Sequence, residues 1–288
     1  MNNTKKKSPI SWVPTAYFAM GLPFVVLNMV TVLMFKGLEV DDKLITFWTS
    51  LILLPWTLKP LWSPFLELFR TKKFFVIVTQ LITGVTFGLV AFALNLSHFF
   101  SISIALLAIV AFSGATHDIA CDGVYMSELS NEDQAKFIGW QGAFYNIAKI
   151  LATGGLVYLA GYFIELNADA GLLIANKRAW MIILLILSVT MILLGIYHLF
   201  ALPSTQSASS KKTLRSNKEV MKELGQVLMD FFRKTHITYY IFFIILYRFA
   251  EGFVMKIVPL FLKADREMGG LGLNEKEIGL YYGTYGAA

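Results

Sequence analysis

Residues 179–201 read AWMIILLILSVTMILLGIYHLFA, twenty-three residues without an aspartate, glutamate, lysine or arginine. The hydrocarbon core of a bilayer is about 30 Å thick, and about 20 apolar helical residues cross it. Comparable runs recur on both sides of this stretch and along the whole chain. The 288 residues are 56% hydrophobic and 15% charged, with a mean hydropathy of +0.62. Soluble domains carry about 25% charged residues. Length alone fits about two soluble domains, but this composition points to an all-α polytopic membrane protein. A membrane β-barrel needs short segments of alternating polarity, and the sequence has none.

Apolar periodicity predicts helices at about 12–35, 44–66, 74–96, 100–124, 137–164, 179–201 and 237–262, and an eighth opening near 275. The first follows a basic start, MNNTKKKSP, but is too long for a signal peptide and lacks a small-residue cleavage site. It reads as a retained first span. The stretch 202–236 is polar and basic and forms a linker, with an amphipathic segment EVMKELGQVLMDFF. With the N-terminus inside, the inner segments hold Lys5, Lys6, Lys7, Arg70, Lys72, Lys73, Lys136, Lys211, Lys212, Arg215, Lys218, Lys222, Arg233 and Lys234. The outer loops hold Lys36, Lys43, Lys177, Arg178, Lys263, Arg266 and Lys276. This roughly twofold excess predicts a cytoplasmic N-terminus and a cytoplasmic linker. The net charge of +6 is thus a topology signal, and nucleic acid is not an expected partner. The one cysteine, Cys121, sits among small residues and cannot form an intrachain disulfide.

Six helices, a long inner loop and further helices suggest a transporter built of two halves. GLEVDDKLITFW at 37–48 lies on GLGLNEKEIGLY at 270–281 without a gap, with Asp41 on Asn274 and Asp42 on Glu275. The first joins helices one and two, the second helices seven and eight, as parallel repeats require. The chain stops at GLYYGTYGAA inside an apolar helix. It therefore reads as a six-helix half (1–201), the linker (202–236) and the start of a second half (237–288) of a longer protein, monomeric when complete.

Ionisable residues within spans are costly and usually face a bundle interior or a water-filled cavity. Helix four ends in SGATHDIACDG. Asp118 and Asp122 are one helical turn apart and share a face, His117 lies beside them, and small residues around them permit close packing. The carboxylates are candidates for carrying a proton or touching substrate; a structural network is the alternative. Helix five carries Gln141, Tyr145 and Lys149 in one stripe, with Asn146 beside it. Lys149 either lines a cavity for an anionic substrate or pairs with a buried acid such as Asp118. Helix seven carries Arg248 and Glu251, which can pair within one helix, and Lys256, which either lines the cavity or rises to the outer interface. Lys59 stands among Pro55, Pro60 and Pro64 and either attracts an anion or pairs with a nearby carboxylate. Glu67 and Arg70 form an acid-then-basic turn suited to gating, and Gly21 and Pro23 allow helix one to bend.

No P-loop, dinucleotide fingerprint, HExxH motif or cysteine–histidine cluster is present, so no ATP-driven step, cofactor or metal is expected. A retinal-binding receptor with a Schiff base on Lys256 lacks a helix-three counter-ion. A membrane acyltransferase using His117 and Asp118 has poor geometry, because adjacent helical residues diverge, and both readings stay as distant alternatives to a transporter. For a transporter without a nucleotide site, an ion gradient or facilitated flow is the driving force.

Four stretches carry a family resemblance. KPLWSPFLELFRTKK resembles the end of helix two in the major facilitator superfamily, within the branch of the AmpG-type muropeptide permeases and acetyl-CoA transporters, where an Asp often stands at Glu67. SGATHDIACDG resembles that branch's A-T-Q-D-I-x-x-D-[AG] signature, with Asp118 and Asp122 on its two acids and His117 in place of Gln. ILYRFAEG resembles its L-Y-[KR]-x-x-[DE] start of helix seven, and EKEIGLYYGTYG the start of helix eight. The resemblance covers nearly the whole chain, and its most specific part is the helix-four signature. It implies twelve helices in two halves, alternating access around a central cavity and proton-driven uptake across the inner membrane. Anhydromuropeptides are the implied substrate of the bacterial permeases. Asp118, Asp122 and Glu251 are then the coupling candidates, and Lys149, Arg248, Lys59, His117, Gln141, Tyr145, Asn146 and Lys256 the cavity candidates.

Overall fold

The computed structural model describes residues 7–63, 66, 71–203, 222, 225–226, 229–230 and 232–286, with the backbone alone at 248, 249 and 251. Every regular element among them is helical. Among the described residues six helices are long and apolar enough to cross a membrane: α1 (Pro9–Gly37), α2 (Asp42–Leu61), α3 (Lys72–Ala93), α4 (Phe99–Glu128), α5 (Asn131–Leu166) and α6 (Leu172–Ala201). Two more follow: α7 (Ile237–Lys263), and α8, which opens at Glu275–Glu277 and continues over Ile278–Tyr285. Glu67 and Arg70, like most of the linker and its amphipathic segment, lie outside the described residues.

Most helices run further than hydropathy predicts, and in α5 a polar cap extends the helix beyond the apolar run. Ser130 accepts a hydrogen bond from the Asp133 amide (3.1 Å), and Glu132 and Asp133 occupy the first turn of α5, where acids complement the helix dipole. Gly171, at φ +87°, turns the chain into α6 seven residues before the predicted start. That backbone region is open to glycine at little cost. The exception is α2. It is regular over Asp42–Leu51, breaks, resumes over Leu54–Leu58 and tightens over Lys59–Leu61. Pro55 and Pro60 remove two amide donors and clash with the preceding turn, so the predicted continuous helix is interrupted.

The central helix is α1, buried along nearly its whole length, with α4, α5, α6 and α7 around it. On one flank α3 packs between α4 and α6. Trp12, Leu27, Phe35, Phe87, Leu107 and Trp180 are among the large side chains withdrawn completely from the surface. Three helices contain wide turns: α1 at Val26–Val30, α5 at Leu151–Leu156 and α8 at Ile278–Tyr285. They meet, the α1 segment against that of α5 and the α5 segment against that of α8.

The two aligned stretches have the same local geometry. Glu39 and Gly272 occupy corresponding positions, and both are left-handed, at φ +61° and +64°. Asp41 and Asn274 both cap the helix that follows. The Leu38 amide donates to Met34 (3.0 Å) and the Leu271 amide to Phe261 (3.1 Å). Val40 reaches back five residues to Phe35, Leu273 eleven to Leu262, so the second connection is six residues longer. With that insertion Lys36 corresponds to Lys263. Lys36 pairs with Asp42 at 2.8 Å, and Lys263 pairs with Glu275, the residue aligned with Asp42. Lys276 also pairs with Glu165 at the end of α5, and this hydrogen bond holds the Lys276 ammonium pKa above its ordinary value.

Candidate functional site

The broken middle of α2 carries Trp56 and Lys59 to α4. The Lys59 ammonium lies 2.7 Å from Asp118 Oδ2, and the Trp56 indole N–H donates to the same oxygen at 2.9 Å. Trp56 lies against Gly114, where a Cβ would meet its ring at 2.9 Å, and edge-on to Phe24 of α1 at 5.2 Å. Asp118 itself is 8% exposed, and its Oδ1 is buried with no partner. The pair is thus satisfied on one carboxylate oxygen only. Lys59 keeps 28% of its side chain exposed, so the pair has an open edge.

One turn further along α4, Asp122 accepts a hydrogen bond from the Tyr17 hydroxyl (2.8 Å), and the Gln141 amide donates to Tyr17 (2.9 Å). This chain ties α5 to α4 through α1. Tyr145 is half-buried beside Gly21, where an added Cβ would meet Ala148 at 3.0 Å and the Tyr145 carbonyl at 3.1 Å. Gly21 therefore serves close packing of α1 on α5. Pro23 lies inside α1, ahead of its wide turn. Asn146 and Lys149 are exposed, and Lys149 makes no ion pair among the described residues. Asp118 is paired with Lys59 instead of Lys149.

His117 turns away from these groups. Its Nε2 lies 2.9 Å from Gln80 Nε2, Gln80 Oε1 lies 2.9 Å from His198 Nδ1, and His198 Nε2 lies 2.9 Å from Thr15 Oγ1. The amide donates to His117, so the neutral ring carries its proton on Nδ1, an atom that is buried and unpartnered. Four helices are joined by this chain, which runs through the packed bundle and not along a cavity. Lys256 is also withdrawn, on the carbonyls of α1. Arg248 and Glu251 lie on α7, and their side chains are outside the described set.

Sequence reasoning missed Trp56, Tyr17, Gln80 and His198. Trp56 and Tyr17 look like ordinary apolar-span aromatics. Gln80 and His198 stand alone in their helices, 37 and 81 residues from His117. A polar residue isolated inside a span was the available signal. Among the described residues no cluster of three or more histidine, cysteine, aspartate or glutamate side chains could hold a metal ion.

Along α7, the described side chains between Tyr239 and Phe253 are exposed, apart from the half-buried Ile241. The contacts of α7 are with the second half of α1 and the start of α2. α7 therefore meets the bundle at the face opposite the N-terminus, while at the N-terminal face α1, α3, α4, α5 and α6 pack together through Trp12, Val76, Val124, Phe137 and Ala201. Asp118, Lys59 and Lys149 flank α1 at the depth of Gly21–Phe24. Comparison of the chain with protein-family models, curated proteins and solved structures gave no match.

Proposed function

We propose that this chain is the first half and the start of the second half of a proton-coupled solute importer of the major facilitator type. It lies in the inner membrane with its N-terminus in the cytoplasm. The observation that carries this proposal is the Lys59–Asp118 pair, an ion pair between two apolar spans that keeps an exposed edge at Lys59. The matching turns, caps and lysine–carboxylate pairs of the two connections support the two-half architecture, since parallel repeats reuse one backbone design.

In this scheme Asp118 is the coupling acid. A proton on its free oxygen, Oδ1, neutralises the carboxylate and weakens the hold on Lys59. Lys59 can then turn its open edge to an anionic substrate. Loss of the proton restores the pair and displaces the anion. Proton and anion thus favour each other's binding, and linkage makes that preference reciprocal. Lys149, unpaired and exposed at the same depth, is the first anchor for the substrate's negative charge. Asp122, held by Tyr17 and Gln141, keeps α1, α4 and α5 in register below it.

The substrate class is an anionic, amphiphilic solute, with anhydromuropeptides the first to test. Uptake into vesicles holding the full-length protein should rise when the outside is made acidic, and Asp118→Asn should remove that response. Uptake indifferent to the pH gradient and to Asp118→Asn would leave a facilitator in place of a coupled importer.

A further inference from the structure

Lys256 is 5% exposed, yet no carboxylate among the described residues pairs with it. Its ammonium instead donates to two main-chain carbonyls of α1, those of Leu27 (3.4 Å) and Asn28 (3.2 Å). Both lie in the wide turn Val26–Val30. In a regular helix each carbonyl points along the axis at the amide four residues on. A wide turn shifts that pairing by one residue and loosens it, so its carbonyls can accept from the side. Here Leu27 already takes the Thr31 hydroxyl at 3.0 Å as well.

The place is as informative as the bond. Among the described residues no other hydrogen bond joins α1 to α7. The same wide turn touches the wide turn of α5, which packs on that of α8. Three wide-turn backbone segments and one buried cation therefore meet where the first half touches the second. An isolated buried ammonium is costly unless it is hydrogen-bonded, so this lysine favours whichever arrangement keeps the carbonyls within reach. Two long bonds to neutral carbonyls also hold less firmly than a buried ion pair. Such a contact can be made and broken in each cycle.

We propose that Lys256 is a latch between the halves. Its ammonium holds α7 on the wide turn of α1 and keeps the face opposite the N-terminus closed, and that face opens when the ammonium leaves. The latch rests on the alternating-access reading of the fold, but its test does not need a transported substrate.

Lys43 and Met268 line opposite sides of the gap between the start of α2 and the end of α7. Spin labels at Lys43→Cys and Met268→Cys, in the full-length protein with Cys121→Ser and in nanodiscs, report that gap by pulsed electron resonance. The protein with Lys256 should give one dominant short distance. Lys256→Met keeps the stem and removes the donors, and should move on the order of half of the molecules to a longer distance. Lys256→Gln, a neutral donor, should fall between the two and replaces the methionine variant if that fails to fold. An unchanged distance distribution in a folded variant overturns the latch. Failure of pH-driven uptake by the unsubstituted protein, with the distance shift intact, counts against the transport reading and leaves the latch standing.

Discussion

Asp118 gives one oxygen to two donors and keeps the other bare, and its cost to the fold should follow from that asymmetry. Lys59→Met strands a buried carboxylate and should lower stability by about 3 kcal/mol, the scale for breaking a buried pair. Adding Asp118→Leu should restore most of it, because an apolar pair of similar volume avoids the desolvation cost. Denaturant titration in detergent measures both. Lys149→Ala removes a side chain that holds nothing in place. It should leave stability unchanged while weakening anionic substrate about tenfold, or 1.4 kcal/mol. An equal loss for a neutral analogue would deny it the role of charge anchor. Gln80→Ala cuts the chain from His117 to His198 and leaves His117 Nε2 and His198 Nδ1 without a partner, which should cost about 1–3 kcal/mol. Some of this is legible in the sequence: an acid and a lysine in apolar spans must find partners, and Lys59 and Asp118 each stand out alone. Which lysine answers which acid is not legible, because Lys59 and Lys149 are both plausible until the proline break in α2 sets the direction of its side chain.

At the scale of elements, α5 and α8 touch backbone to backbone. A Cβ on Gly283 would lie 2.0 Å from the Thr153 carbonyl, and one on Gly161 would lie 2.5 Å from the Lys276 amide. Small residues let helices in lipid approach this closely. Gly283→Val should therefore separate α5 from α8, with a loss of about 1–3 kcal/mol as overpacking requires. Gly142→Ala, whose Cβ meets nothing within 4 Å, should be neutral or gain about 0.5–1 kcal/mol from helix propensity. Thermal unfolding of the two variants side by side reads the contrast, and equal shifts would show that the seam is not tightly packed. Hydropathy locates these helices because their apolar length is a local property. It does not locate their wide turns, which depend on what α1, α5 and α8 press against. Nor does it foresee the early starts of α5 and α6, where Ser130 and Gly171 act outside the apolar run.

For the molecule as a whole, the repeat between 37–48 and 270–281 is the feature that sequence carries best. Two capped turns with matching left-handed residues are a local design, and local designs leave a trace in the residues. The placement of α7 leaves no such trace, because it depends on how α7 lies against the second half of α1. The proposed coupling has Asp118 take up a proton as an anion binds at Lys59, so that both cross together. Full-length protein in liposomes loaded with a pH-sensitive dye tests it directly, with anhydromuropeptide added outside and no gradient imposed. Substrate entry should acidify the lumen, and Asp118→Asn should bind the substrate yet leave the lumen unchanged. Substrate entry without acidification in the unsubstituted protein, or the same acidification with Asp118→Asn, would contradict it.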